Sequence, residues 1–362
     1  MTGFRKSIHF YAALVAAAFM ALSANCGGGG TAGKIAFRSC KGEQGNQTCD
    51  ISTIDPDGSG RRVVYSDGYG ATWSPDGSRI AFAAREGDEF HIWIAGIESE
   101  PLELTKSGDW RALYWSPSGK YLASYSCDGF CTCRFPDVTC KIHAIDAETG
   151  ESRYLTDGSP IGWSLDSRSV IYARICCSPD PVESRDIYRV DIESKNTTEL
   201  IAADEDIVDP SFSPDGRKVA YIHQCCGDLL FNQELYSMNS DGSDGKAIAP
   251  GIEVHGEPLW SPDGDRIAFT SRDVIYTVNS DGTGLKVIPA GYTVIAGPTS
   301  REELGDGRNL DKFRLTGLSW SPNGSKFALT YRDDVWVMNA DGSDLIRLTE
   351  SPERESGVSW GP

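Results

Sequence analysis

Trp260-Ser261-Pro262-Asp263-Gly264, followed by Ile267-Ala268-Phe269, is the stretch that decides the fold. Ser at the first turn position accepts a local hydrogen bond. Pro at the second presets φ near about −65°. Asp tolerates the third position, and Gly takes the left-handed fourth. The phrase therefore reads as a type I turn closing a short β-hairpin with a glycine bulge, entered from an aromatic residue and left through an apolar strand.

Working outward, the phrase returns along the chain. It stands as Trp73-Ser74-Pro75-Asp76-Gly77, with Ile80-Ala81-Phe82 after it, and as Trp115-Ser116-Pro117-Ser118-Gly119. It recurs as Trp163-Ser164-Leu165-Asp166-Ser167, Phe212-Ser213-Pro214-Asp215-Gly216 and Trp320-Ser321-Pro322-Asn323-Gly324. The aromatic positions step by 42, 48, 49, 48 and 60 residues. A period of this size with strand-and-turn content predicts a β-propeller, one four-stranded blade per repeat.

A second turn follows later in each unit. It is spelled Asn239-Ser240-Asp241-Gly242, Asn279-Ser280-Asp281-Gly282 and Asn339-Ala340-Asp341-Gly342, with Asp55-Pro56-Asp57-Gly58 near the start. Asp146 to Gly150 and Asp191 to Ser194 are weaker versions. The same spelling opens a calcium loop, but the downstream glutamate and flanking helices of such a loop are missing, so these are turns.

The two ends complement each other. Gly33 to Phe37 reads as a second strand without a first, and Val358 to Pro362 as a first strand without a continuation. The second-strand phrases begin at Ile35, Ile80, Tyr121, Val170, Val219, Ile267 and Phe327. The expected fold is all-β: a seven-bladed β-propeller at 33–362, its ring closed by the C-terminal strand completing the N-terminal blade. Closure of this kind removes open sheet edges.

These repeats resemble the WD-like repeats of the TolB family and of propellers that precede prolyl-oligopeptidase-type hydrolases. The resemblance covers 33–362 and implies the propeller fold. It implies function only weakly, since propellers host binding, scaffolding and catalysis alike. TolB carries an additional N-terminal domain and a six-bladed ring, so the chain reads as TolB-like and not as TolB itself. The Gly-x-Ser-x-Gly spelling of the hydrolase elbow occurs at Gly357-Val358-Ser359-Trp360-Gly361, but there it falls in the closing strand phrase and not in a strand-to-helix turn, which the elbow requires.

Composition excludes several classes. With 34 Lys plus Arg against 52 Asp plus Glu, the formal net charge is -18. Neither nucleic acid nor an anionic membrane surface suits that balance. Arg5 and Lys6 precede an apolar run from Ile8 to Leu22. That run is short for a bilayer span and reads as a signal peptide over 1–25. Cys26 then opens a Gly-rich tether over 26–32, as in a bacterial lipoprotein, whose lipidated Cys would be the mature N-terminus. Leu22 lies one place too far from Cys26 for a typical box, and ordinary cleavage near Ala24 is the alternative. Either route predicts an extracytoplasmic chain, in the periplasm or at the cell surface, touching a membrane only through that lipid.

In a propeller the tight turns gather on one face. The second-to-third hairpins and the blade links gather on the other, and all the irregular insertions fall there. Ten further cysteines lie in those hairpins: Cys40 and Cys49, then Cys127, Cys131, Cys133 and Cys140, then Cys176 and Cys177, then Cys225 and Cys226. Thiolate zinc sites are one reading. Disulfides stapling long loops in an oxidising compartment are the preferred one. Cys40–Cys49 is the expected pair. The four cysteines of the third blade allow three connectivities, and the vicinal pairs either bridge blades or close on themselves.

Asp209, His223, His255 and Glu257 are the candidate binding residues, placed by the repeat at the channel mouth on the loop-rich face. His91 and His143 fall in third strands and read as packing. The repeat tryptophans read as core between blades. No catalytic residue, cofactor or metal is assigned. The expected function is a non-enzymatic, monomeric envelope lipoprotein that binds a protein or peptide. The alternative is a metal-dependent polysaccharide lyase or hydrolase, because oligogalacturonate lyases share this repeat type and hold a metal through His residues.

Overall fold

The computed structural model describes residues 33–42, 47–127, 140–173, 186–201, 206–224, 233–271, 274–288 and 315–362. The signal and tether segments with Cys26 lie outside these residues, as do Cys131, Cys133, Cys176, Cys177, Cys225 and Cys226.

The described residues form seven four-stranded antiparallel sheets and no helix. Blade one contains β1 (Ile35–Lys41), β2 (Thr48–Ile54) and β3 (Arg62–Tyr65). Blade two is β4 (Gly68–Trp73), β5 (Arg79–Glu86), β6 (Glu89–Gly96) and β7 (Leu102–Glu103). Blade three is β8 (Trp110–Trp115), β9 (Tyr121–Cys127), β10 (Cys140–Asp146) and β11 (Ser152–Asp157). Blade four is β12 (Ser159–Trp163), β13 (Ser169–Ala173), β14 (Ile187–Asp191) and β15 (Thr197–Ile201). Blade five is β16 (Asp206–Phe212), β17 (Lys218–Gln224), β18 (Gln233–Asn239) and β19 (Lys246–Ala247). Blade six is β20 (Leu259–Trp260), β21 (Arg266–Ser271), β22 (Val274–Asn279) and β23 (Lys286–Ile288). Blade seven is β24 (Leu315–Trp320), β25 (Lys326–Tyr331), β26 (Asp334–Asn339) and β27 (Ile346–Arg347). The last strand, β28 (Arg354–Trp360), pairs antiparallel with β1, Ile35 opposite Trp360, and so supplies the innermost strand of blade one. The fold is the seven-bladed propeller that the repeats predict, closed as expected.

Second strands lie between neighbouring blades and are covered on both faces, which explains their unbroken apolar runs. All of β13 is buried, and so are Ile80, Ala81 and Phe82 of β5. The hydrophobic clusters bridge blades. Tyr114 and Ile142 of blade three pack with Trp163, Val170 and Tyr172 of blade four. Across the closing seam, Ala328 and Val335 pack with Ile35, Phe37 and Trp360.

The repeat tryptophans also carry a polar connection. The indole N–H of Trp115 donates to the Thr72 carbonyl at 3.2 Å, that of Trp163 to Tyr114 at 2.9 Å, and that of Trp260 to Ser211 at 2.9 Å. Trp73 reaches Ser359 and Trp320 reaches Leu259 in the same way. In each case the acceptor stands one residue before the aromatic of the preceding blade. Phe212 has no such donor, and Trp360 donates instead to Gly33.

The Ser-Pro-Asp-Gly turn is self-satisfied. The Gly264 N–H donates to the Ser261 carbonyl at 2.9 Å, and the Arg266 N–H donates to Ser261 Oγ at 2.9 Å. Ser261 Oγ–H donates to Asp263 Oδ1. Burial pushes the Asp263 carboxyl up, but hydrogen bonds from Ser261 and Asp265 outweigh it and hold it below its usual range. Gly264 adopts φ 74°, as the bulge requires. Ser167, where the spelling departs from Gly, keeps a left-handed φ of 60°, and its hydroxyl accepts the Ser118 N–H of the neighbouring blade at 2.9 Å.

Charged groups bind the closing seam. Arg61 of blade one lies 3.1 Å from Glu355 and 3.4 Å from Glu353. The Glu355 side chain is fully buried, and it accepts the Thr349 hydroxyl and the Val335 N–H. Burial raises the Glu355 carboxyl, while the Thr349 hydrogen bond and Arg61 oppose that rise.

Candidate functional site

Innermost strands line the channel, and several of them carry a bulge three residues before the repeat aromatic. Register shifts fall between Tyr69 and Thr72, Arg111 and Tyr114, and Val208 and Ser211. The bulged residue is left-handed: Gly70 at φ 64°, Ala112 at 47°, Asp209 at 47° and Gly357 at 65°. A bulge re-aims the side chain it carries. Most blades place a small or side-chain-poor residue there, namely Gly70, Ala112, Pro160, Gly317 and Gly357. Blades five and six place Asp209 and Glu257.

The structure brings these two carboxyls together. Burial and then the Asp209 carboxylate push Glu257 up to about 8. Glu257 keeps a partial opening to solvent along the channel, yet protein surrounds its carboxyl almost completely. Burial of this kind disfavours the charged form of a carboxyl. Tyr114 of blade three, packed in the core against blade four, feels the field of both acids. Burial first, then Glu257, Tyr125 and Asp209, raise its phenol well above the usual range. Blades five and six thus place two acids in one poorly solvated space, whose field reaches Tyr114. The sequence reading names Asp209 and Glu257 and passes over Tyr114, because one Tyr beside a repeat Trp looks like core.

The two histidines have neighbours of their own. His223 of β17 lies opposite Glu234, its ring 4.7 Å from that of Tyr236. His255 is tied by its backbone N–H to the Thr270 carbonyl, and its ring lies 3.6 Å from Glu253. Among the described residues no group of three or more His, Cys, Asp or Glu is arranged to hold a metal. His91 is more than packing: it sits 2.8 Å from Glu103 and 3.5 Å from Glu89. His143 is an interior ring edge-on to Trp110, and burial followed by Lys141 lowers it.

Disulfides join Cys40 to Cys49 and Cys127 to Cys140. Each links directly opposed residues at the loop end of a second-to-third hairpin. Such bonds fit an extracytoplasmic, oxidising location. On the opposite face, Lys218, Asn239, Asp244, Lys246 and Ser280 line a groove of about 480 Å³. Its lysines are already engaged, Lys218 with the Ser280 carbonyl and Lys246 with that of Asp281, so they brace blade five against blade six.

No protein-family model matches the chain. An uncharacterised protein of Agrobacterium fabrum is 25% identical over 202 residues, 52% of this chain and 60% of that protein. The Tol-Pal system protein TolB of Alcanivorax borkumensis is 32% identical over 88 residues, 23% of this chain and 19% of that protein. The chain therefore spans less than two thirds of these relatives' length. Among solved structures, TolB from Acinetobacter baumannii matches with TM-score 0.51 and 16% identity over 90% of this chain and 82% of that one. An oligogalacturonate lyase in complex with manganese matches with TM-score 0.59 and 12% identity, covering 85% and 98%. An acylaminoacyl peptidase of Pyrococcus horikoshii matches with TM-score 0.63 and 14% identity, covering 88% and 51%. The chain has a TolB-like, seven-bladed β-propeller fold, and its neighbours in structure include TolB, a lyase and a peptidase.

Proposed function

We propose that this chain is an extracytoplasmic envelope lipoprotein that binds a protein or peptide through its loop-rich face. In this reading 1–25 is the signal, Cys26 the lipid site, 26–32 the tether and 33–362 the binding domain. The observation that carries it is the contrast between the two faces. One face repeats the same self-satisfied turns. The other presents unlike hairpins, two of them closed at their base by Cys40–Cys49 and Cys127–Cys140. A rigid scaffold holding variable loops at fixed distances is suited to recognition. The acidic channel site opens at the ends of the innermost strands that lie toward that face.

A photo-cross-linking residue at Asp88, fully exposed at the tip of the β5–β6 hairpin, tests this in intact envelopes, with Asp241 on the turn face as the comparison. The expected result is a discrete adduct from position 88 and none from position 241. Equal adducts from both faces, or none from either, would overturn the reading.

A further inference from the structure

We propose that Asp209 and Glu257 form a channel subsite for an organic monocation, the ammonium or guanidinium of a basic side chain carried by the peptide partner. The proposal rests on the binding reading above and names the chemistry of its contact. Four observations lead to it. First, the acids occupy a repeat position that most other blades fill with a small residue, and they do so in adjacent blades. Second, Asp209 holds a left-handed backbone at a bulge, a conformation costly for any residue with a Cβ. Third, Glu257 is enclosed by protein, yet among the described residues it makes no hydrogen bond or ion pair, and no cation acts on it. A buried carboxyl left in this way is destabilising unless a partner arrives. Fourth, the field of both acids reaches the buried Tyr114 of blade three and, after burial, holds its phenol protonated.

The number of donors selects the kind of cation. Calcium takes about six to eight oxygen ligands. Two carboxyls fall short of that, whereas an ammonium or guanidinium needs only a few acceptors. On binding, Glu257 releases its proton to solvent and becomes the second carboxylate of the pair.

The test is calorimetric titration of the full chain near neutral pH and low salt. The probe is acetyl-Gly-Arg-Gly-amide, its citrulline counterpart is the neutral control, and calcium and manganese chlorides are separate arms. The Arg peptide is expected to bind with proton release and the citrulline peptide not to bind. Affinity is expected to fall about tenfold or more in both Glu257→Gln and Asp209→Asn, since each leaves one charge partner missing. Asp241→Asn, on the turn face, is expected to bind as the parent does. Thermal melting establishes that each variant is folded. Absence of Arg-peptide binding, equal citrulline binding, unchanged affinity in the two channel variants, or metal binding alone would each overturn the subsite. If the subsite fails while the position-88 adduct persists, the binding face stands without it. Loss of the adduct in the parent chain instead removes the binding reading.

Discussion

The indole nitrogen of Trp163 lies 2.9 Å from the carbonyl oxygen of Tyr114 in the preceding blade. Both residues are buried, at 2% and 5% exposure, so water is a poor substitute for either partner. The same contact recurs between other blades, which makes the tryptophan a connector as well as a filler of the gap between sheets.

Trp163→Phe keeps most of the apolar volume and removes the donor, leaving a buried carbonyl short of a partner. It is expected to lower stability by about 1 to 3 kcal/mol, the usual penalty for such a loss. Urea denaturation with an unchanged slope is the measurement. A midpoint equal to that of the parent would show that the indole contact adds nothing.

Two glycines separate backbone strain from collision. Gly264 has φ 74° with its nearest foreign atom, Pro214 Cδ, 3.6 Å from the Cβ position, so Gly264→Ala meets only the left-handed penalty. That penalty is about 1 kcal/mol. At Gly77 φ is 67°, but a Cβ would stand 2.6 Å from the Pro362 carbonyl oxygen. Gly77→Ala is therefore expected to destabilise clearly more than Gly264→Ala in the same denaturation assay. Equal losses would mean that the C-terminal residues move aside freely.

Glu257 sets a pH dependence of definite sign. Its folded pKa of about 8 lies above the unfolded value of 4.5. Between these limits the native state holds the extra proton. This group's contribution is thus fully present below the unfolded value and is lost as pH rises through about 8. Glu257→Gln should flatten the fall in melting temperature across that window and leave the variant more stable than the parent at alkaline pH. A parallel fall in both proteins would show that Glu257 is not the titrating group.

Much of the fold is legible because each blade spells the same local chemistry. Ser261, Pro262, Asp263 and Gly264 specify a turn by themselves, and the aromatic before them specifies burial. The closing strand is legible because Val358 to Trp360 repeats a phrase whose continuation stands at Ile35. The site is only half legible. Asp209 and Glu257 stand out by register, since acids replace small residues at one repeat position. Tyr114 does not, because the reach of the acids' field to blade three depends on distances across the ring that no local pattern encodes. His223 and His255 share a face with the acids in the topology, and their neighbours Tyr236 and Glu253 are contacts that the repeat pattern does not spell. The hydrogen bond between His91 and Glu103 is likewise a cross-strand contact between residues 12 apart, which the local sequence does not spell.

The pairing of β28 with β1 makes the order of synthesis matter. Trp360 and Gly33, joined by a hydrogen bond, are 327 residues apart in sequence. Until the last strand has emerged, blade one presents the bare edge of β1, and blade seven faces no finished neighbour. An interrupted chain would expose that edge to proteases and to other strands. The seam thus acts as a length check, under which only a chain translated through Trp360 acquires the protection of the closed ring.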